Sequence, residues 1–513
     1  MRVGGCNGGA RVAPNDKETG LASTGTSGLD HILNGGLTPE RMYLVEGTPG
    51  TGKTTLAMRF LLAGAAVGET VLYITLAETE VELRAVGEAH GWSLEGVDVF
   101  EMVPPDGFGE DQEQTLLHPS EVELGETVRD IMAKVDKIRP ARLVLDSLSE
   151  LRLLAQSPIR YRRQILALKH FFSTRACTVL VLDDKGASGN DLQLHSIAHG
   201  VISLDQTLAG FGSQRRRLHV VKMRQRQFRG GYHDFEIERG GLCVYPRLVA
   251  SDHTTQKSGE SVSTGSPELD ALLGGGLVRG TATLFSGPAG VGKTTASIQC
   301  VEAALKRGEK ASYFLFDERA PTLLTRSAAL GLDLQPYIDS GLLELRAIDP
   351  AEMSPGEFAG RIQEAVDGGA TMIAIDSLNA YLQAMPNEQF LIIQMHEMLS
   401  YLGQKGVVSL LILGLHGIAG DIRADVDLSY LSDTVVQLRY FEALGEVRQA
   451  ISVIKTRTAR HERTIREFQI GSDGLRLGEP LDRFQGVLTG VPSFSGTRDT
   501  LMASQIDPEN RRD

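Results

Sequence analysis

Gly47-Thr48-Pro49-Gly50-Thr51-Gly52-Lys53-Thr54-Thr55 is echoed 240 residues later by Gly287-Pro288-Ala289-Gly290-Val291-Gly292-Lys293-Thr294-Thr295. Both satisfy G-x-x-x-x-G-K-[ST]. Each follows an apolar, strand-like run, Met42-Tyr-Leu-Val-Glu46 or Thr283-Leu-Phe-Ser286, and each leads into a segment of helical spacing. That order is the one the motif's mechanics require. The glycines let backbone N–H groups curl around phosphate oxygens, and the following helix adds the positive end of its dipole. On this reading Gly47, Thr48, Gly50, Thr51, Gly52, Lys53, Thr54 and Thr55 cradle one nucleotide. Gly287, Gly290, Val291, Gly292, Lys293, Thr294 and Thr295 cradle a second. Lys53 and Lys293 are expected to reach the β- and γ-phosphates, and Thr54 and Thr294 to hold Mg2+. Two matches in equivalent contexts make coincidence a poor explanation.

Outward from the loops, the chain reads as one domain written twice. Ser23-Thr-Gly-Thr-Ser-Gly-Leu-Asp30 matches Ser263-Thr-Gly-Ser-Pro-Glu-Leu-Asp270, and Asn34-Gly-Gly-Leu37 matches Gly274-Gly-Gly-Leu277. Val71-Leu-Tyr-Ile-Thr75 then answers to Ala311-Ser-Tyr-Phe-Leu315, and Arg142-Leu-Val-Leu-Asp146-Ser147 to Met372-Ile-Ala-Ile-Asp376-Ser377. Lys222-Met-Arg224 finally matches Lys455-Thr-Arg457. So long a period signals domain duplication, not a solenoid. Short β-branched runs alternate with helical segments such as Tyr161–Phe172 and Phe390–Leu402. The runs end in Asp or Gly, the pattern of a parallel sheet covered on both faces by helices. The fold class is therefore α/β, with two tandem P-loop domains. Expected boundaries are a tail at 1–20, domains at 21–250 and 261–490, a polar linker at 251–260 and a tail at 491–513. The acidic stretch 104–113 reads as a solvated loop insertion.

A length of 513 residues exceeds one ordinary core, since a domain takes about 150 residues. A hydrophobic content of 42% and a charged content of 23% suit a globular protein. The net charge of −13 argues against a surface built wholly for nucleic acid. Cys6, Cys177, Cys243 and Cys300 are far apart and form no C-x-x-C pair, which predicts reduced thiols and no structural zinc. No run of roughly 18 apolar residues and no hydrophobic signal core occur, so a cytoplasmic setting and no membrane are expected.

Phosphoryl chemistry needs a cradle, a metal, an oriented nucleophile and positive charge for the transition state. Asp146 and Asp376, each ending an apolar strand, suit the Mg2+-supporting carboxylate, although a strand-end Asp can instead cap a helix. Glu78 in copy one and Asp317-Glu318 in copy two end the preceding strands. A carboxylate there can polarise an attacking water or hydroxyl, against the bland reading of a surface acid. Positive charge comes late: Arg215, Arg216, Arg217, Lys222, Arg224, Arg226 and Arg229, then Arg448, Lys455, Arg457, Arg460 and Arg463. Lys and Arg two apart on a strand share a face. They are candidates for a finger offered to a neighbouring subunit, with a nucleic-acid channel and a solvated basic face as alternatives.

Taken together, this order of motifs, twice in tandem over residues 22–490, resembles the KaiC family of RecA-like ATPases. Especially similar is Ser432-Asp-Thr434-Val-Val-Gln-Leu-Arg-Tyr440, followed by Lys455-Thr-Arg457 and Ile465-Arg-Glu-Phe468. The resemblance implies stacked homohexameric rings with ATP and Mg2+ between subunits. It also implies hydrolysis in the first ring and autokinase plus autophosphatase activity in the second. Carried over by position, the loop residues, Asp146, Asp376, Glu78, Asp317, Glu318, Lys222, Arg224, Lys455 and Arg457 match the family's pattern. The family's acid pair is Ala77-Glu78 in copy one, which implies altered hydrolysis there, and Asp317-Glu318 in copy two. The adjacent Ser-Thr acceptors fall on Ser429-Tyr430 and a further threonine on Ala424, leaving Ser429 as the candidate phosphosite. The short tail implies a KaiB-like or signalling partner in preference to a KaiA-like one. Two other classes remain: a DNA-stimulated RecA-like motor, and a nucleotide-gated scaffold with slow hydrolysis.

Overall fold

The computed structural model describes residues 20–102, 119–155, 157–185, 192–208, 212–250, 259–383, 391–415, 430–443, 445–458, 460–472, 474–489 and 493–494. The expected acidic insertion, most of both tails and linker, and Ser429 with Ala424 lie outside the described residues. The chain divides into two compact units between Arg247 and Leu248.

In the first unit, apolar runs form β1 (Met42–Gly47), β2 (Val71–Thr75), β3 (Val97–Glu101), β4 (Arg142–Asp146), β5 (Thr178–Asp184) and β6 (Gly200–Thr207). Then come β7 (Arg215–Met223), β8 (His233–Glu238) and β9 (Gly241–Tyr245). They build one nine-stranded sheet in the order β3-β2-β4-β5-β1-β6-β7-β8-β9. Pairing is parallel from β3 through β6 and antiparallel beyond. Strand alternation sends neighbours to opposite faces: Tyr43 and Val45 join one apolar cluster, Met42 and Leu44 another. Both faces are thus buried, which is why these strands read as continuous apolar runs.

The second unit opens with a small pair, β10 (Ser261–Val262) and β11 (Leu277–Val278), where the first has a bridge between Ala22 and Leu37. Its sheet repeats the first: β12 (Ala282–Gly287), β13 (Lys310–Leu315), β14 (Leu343–Ala347), β15 (Ala370–Asp376), β16 (Val408–Gly414), β17 (Thr434–Ala443), β18 (Glu446–Thr456), β19 (Ile465–Gly471) and β20 (Gly474–Pro480). The order β14-β13-β15-β16-β12-β17-β18-β19-β20 matches strand for strand. The expected helices form at Pro158–Ser173 and Leu391–Gln404. The protein is therefore an α/β molecule of two tandem RecA-like domains.

The Ser-Thr-Gly…Leu-Asp repeat is a turn lock. Asp30 accepts from Ser23 Oγ (2.6 Å), Thr24 N–H (2.8 Å) and Thr24 Oγ1 (2.8 Å). Asp270 accepts the same three bonds from Ser263 and Thr264, at 2.5, 2.7 and 2.7 Å. Cys177 and Cys300 are free and buried, and burial pushes both thiols up to about 12. Cys243, however, is disulfide-bonded, which corrects the expectation of uniformly reduced thiols. No described helix is long and apolar enough to cross a membrane.

Candidate active site

Each loop leaves the C-terminal end of a central strand, between the ends of its two parallel neighbours. That is the crevice where open α/β sheets take ligands. Gly52 and Gly292 adopt φ of 97° and 106°, and Gly50 and Gly290 of 81° and 76°, a region costly for any other residue. A Cβ on Gly52 would sit 2.8 Å from Ile237 Cδ1, and one on Gly292 2.4 Å from Ile470 Cδ1. The helices Lys53–Ala66 and Lys293–Lys306 begin with no side-chain cap. Their first N–H groups are therefore turned to the loop, a ready anion cradle.

The strand-end aspartates lie beside the loops. Asp146 Oδ2 accepts from Tyr73 OH at 2.6 Å and from Thr54 Oγ1 at 3.3 Å. Asp376 Oδ2 accepts from Tyr313 OH at 3.0 Å and from Thr294 Oγ1 at 2.7 Å. Burial raises both carboxyl pKa values against these hydrogen bonds, and the Lys53 and Lys293 ammonium groups lower them. The peptide bonds Asp146–Ser147 and Asp376–Ser377 are both cis. A hydroxyl and a carboxylate converging beside an anion cradle are hard oxygen donors of the kind Mg2+ takes alongside phosphate, so the residues present fit ATP with Mg2+. In the second domain Lys293, Thr294, Asp317, Glu318, Asp376 and Ser377 share a cleft of about 390 Å³.

The acids nearest the site differ. Glu78 follows β2, its N–H bonded to Thr75 Oγ1 (3.0 Å) and its carbonyl accepting from the same hydroxyl (2.7 Å). Its Oε2 is buried with no hydrogen-bond partner. Burial, then the charges of Asp146 and Glu82, raise its pKa, and Lys53 opposes them. Glu318 is instead paired with Arg326 at 2.9 Å, and Asp317 accepts from Ser377 Oγ. Val86 occupies the first-domain step that corresponds to Arg326, so Glu78 has no such counter-ion.

The two Lys-x-Arg pairs are engaged within their own domains. Lys222 Nζ donates to the His195 carbonyl and Arg224 to that of Ser196 (2.8 Å). Lys455 donates to Ser432 O (2.8 Å) and Arg457 to Tyr430 O (3.1 Å). The expectation that both members lie on a strand is corrected: β7 ends at Met223 and β18 at Thr456, one residue before each arginine. A bulge also precedes each lysine, because Val201 pairs with Lys222 but Ile202 with Val220, and Val435 with Lys455 but Val436 with Val453. Arg217 pairs with Asp234 (2.9 Å), Arg448 with Glu467 (2.7 Å) and Glu446 (2.6 Å), and Arg226 with the Asn34 carbonyl (2.8 Å).

Sequence reading missed the two tyrosines, although Tyr73 and Tyr313 are the identical residue at one step of two otherwise different strands. It also missed Ser377, Arg326 and Asp184, whose carboxylate lies 2.7 Å from Lys53 Nζ. A further first-domain pair, Glu46 with His195 at 2.7 Å, joins the residue before the loop to the segment that receives Lys222.

This fold and its paired strand-end loops define a tandem RecA-like P-loop ATPase. The chain belongs to the KaiC family: the family model for the KaiC ATPase matches it twice, over residues 22–249 and 262–482. It is 26% identical over 500 residues to circadian clock protein KaiC3 of a Synechocystis sp., covering 95% of this chain and 97% of the relative. It is 28% identical over 482 residues to the circadian clock oscillator protein KaiC of Synechococcus elongatus (91% and 90%). It is likewise 28% identical over 477 residues to circadian clock protein KaiC2 of the same Synechocystis (91% and 83%).

Proposed function

We propose that the two domains divide the labour of ATP, the first hydrolysing it and the second transferring its γ-phosphoryl group to Ser429 and back. The carrying observation is that the Thr–Asp–Tyr constellation beside the loop is the same in both domains, while the acids next to it are not. In the first domain Lys53 and the loop N–H groups hold the phosphates. Glu78, unpaired at Oε2 and with a raised pKa, takes the proton of an attacking water. The water oxygen bonds to the γ-phosphorus, the bond to the β,γ-bridging oxygen breaks, and ADP and phosphate leave. Mg2+, held by Thr54 with Asp146 or Thr294 with Asp376, supplies charge neutralisation on the phosphates when bound.

In the second domain a serine hydroxyl replaces water as nucleophile, with Asp317 and Glu318 as its proton acceptors. Ser429 precedes Tyr430, whose carbonyl accepts from Arg457. The reading includes a homohexamer with nucleotide between subunits. There Lys222 and Arg224, and Lys455 and Arg457, leave their own carbonyls to meet a neighbour's γ-phosphate, acting in trans. The function is cytoplasmic regulation of the clock or signalling kind, through a KaiB-like or signalling protein. The net charge of −13 disfavours nucleic acid as the partner.

The test is incubation with γ-labelled ATP and phosphosite mapping by mass spectrometry on wild type, Lys53→Ala and Lys293→Ala. Label on Ser429 should survive Lys53→Ala and vanish with Lys293→Ala. Turnover without label on Ser429 in any form would remove the kinase half.

A further inference from the structure

Asp184 ends β5 and is the cross-strand neighbour of Gly47, the loop's first residue; Gly414 ends β16 and holds the same relation to Gly287. The backbone therefore delivers a carboxylate to the mouth of one loop and a hydrogen atom to the mouth of the other. Lys53 Nζ lies 2.7 Å from Asp184 Oδ1, and it also donates to the carbonyls of Gly47 (3.0 Å) and Thr48 (3.2 Å). Lys293 Nζ donates to Pro288 O at 2.7 Å and forms no ion pair among the described residues.

The strand end that carries Asp184 is fixed. Ser149 Oγ accepts from the Asp184 N–H (3.1 Å) and donates to Asp183 Oδ1 (2.9 Å), with Asp184 Oδ2 at 3.4 Å. Arg152 pairs with Asp183 behind it. In the second domain Asn379 does this job alone, donating to the Gly414 carbonyl (2.9 Å) and accepting from its N–H (2.6 Å). Asp184 is near enough to Asp146 for its charge to help raise that carboxyl's pKa.

We propose that Asp184 is a specificity-determining residue of the first site: it competes with the phosphate chain for Lys53 and makes binding there depend on Mg2+ more than in the second site. The proposal rests on the reading of both loops as nucleotide sites. A polyphosphate that takes Lys53 must do so beside a carboxylate already bonded to it, and like charges so placed repel. A divalent cation offsets that repulsion. The second domain, with glycine at this step, has no such competitor. The Asp184 side chain is 44% exposed, so solvent screening holds the effect to about fivefold.

Equilibrium binding of a fluorescent ATP derivative, with Mg2+ and with EDTA, tests this on the full chain. Lys293→Ala protein reports the first site and Lys53→Ala protein the second. Withdrawing Mg2+ should weaken the first site about fivefold more than the second. Asp184→Asn in the Lys293→Ala background should close that gap by raising metal-free affinity. Gly414→Asp in the Lys53→Ala background should open it in the second site. Its Cβ meets Asn379 Oδ1 at 3.3 Å, a contact that a small shift relieves. An unchanged ratio of metal-free to metal-bound affinity in Asp184→Asn overturns the proposal. Binding by Lys53→Ala protein with none by Lys293→Ala protein is a separate failure, removing the first site and with it the role of Asp184.

Discussion

The two domains share a sheet order, a loop geometry and a Tyr–Asp–Thr constellation, yet their sites pair their charges differently. In the first, Glu78 is half-buried with an orphan oxygen, and Asp184 adds a carboxylate against Lys53. In the second, Glu318 has Arg326, Asp317 has Ser377, and glycine stands where Asp184 would. The contrast teaches that backbone geometry sets where phosphate goes, while the side chains one layer out set how freely the acids can act.

The comparison breaks most sharply at the loop lysines. Lys53→Ala is expected to lower first-domain turnover by about 100-fold or more, the scale of removing one charge-stabilising donor, with phosphate release as the readout. A loss confined to Lys293→Ala would reverse the division of labour. Next comes Glu78→Gln, expected to cut phosphate release by about 100-fold or more with nucleotide affinity retained. Glu318→Gln should cost less, because Arg326 already compensates that acid. Acidity sharpens the same point. Burial and the Asp146 charge raise Glu78 above its ordinary value, so it is protonated, and lost as a base, at a higher pH than a solvated glutamate. In Lys293→Ala protein the acid limb of turnover should therefore lie above the ordinary carboxylate range, and Glu78→Gln should abolish that limb.

Stability offers a smaller effect. Folding raises the pKa of Asp146 and Asp376. These groups therefore favour the fold at low pH and oppose it as pH rises through their folded values. Asp146→Asn and Asp376→Asn should each raise the nucleotide-free melting temperature at neutral pH by roughly 2–4 °C, while abolishing turnover. A test of the same size is at a helix start. Thr79 caps the helix Glu80–His90 in a reciprocal box with Glu82, whereas Arg319 starts its counterpart without a side-chain cap. Thr79→Ala should lower the melting temperature by roughly 2–4 °C and Arg319→Ala should not.

The loops and strand-end aspartates were legible because their meaning is local: a run of glycines, then an apolar strand with a terminal acid. The duplication was legible for the same reason, and with it a mostly parallel sheet flanked by helices in each half. What escaped needs two strands in register. The pairing of Arg448 with Glu467 depends on β18 lying against β19, and Asp184 meets Lys53 only because β5 flanks β1. Tyr73 hid inside an apolar run, where a buried ring and a ligand-holding hydroxyl look the same. The strand-period argument for Lys222 and Arg224 assumed a strand that in fact stops at Met223, one residue before the arginine.

That bulge carries a historical consequence. It falls at Val201–Ile202 and again at Val435–Val436, one strand from the loop in each half. An extra residue inserted at the same step twice is more simply inherited than invented twice. The ancestral single domain already had its bulged strand and the lysine that follows it. The acids around the two phosphate cradles diverged afterwards, so the molecule's asymmetry is younger than the irregularity its halves hold in common.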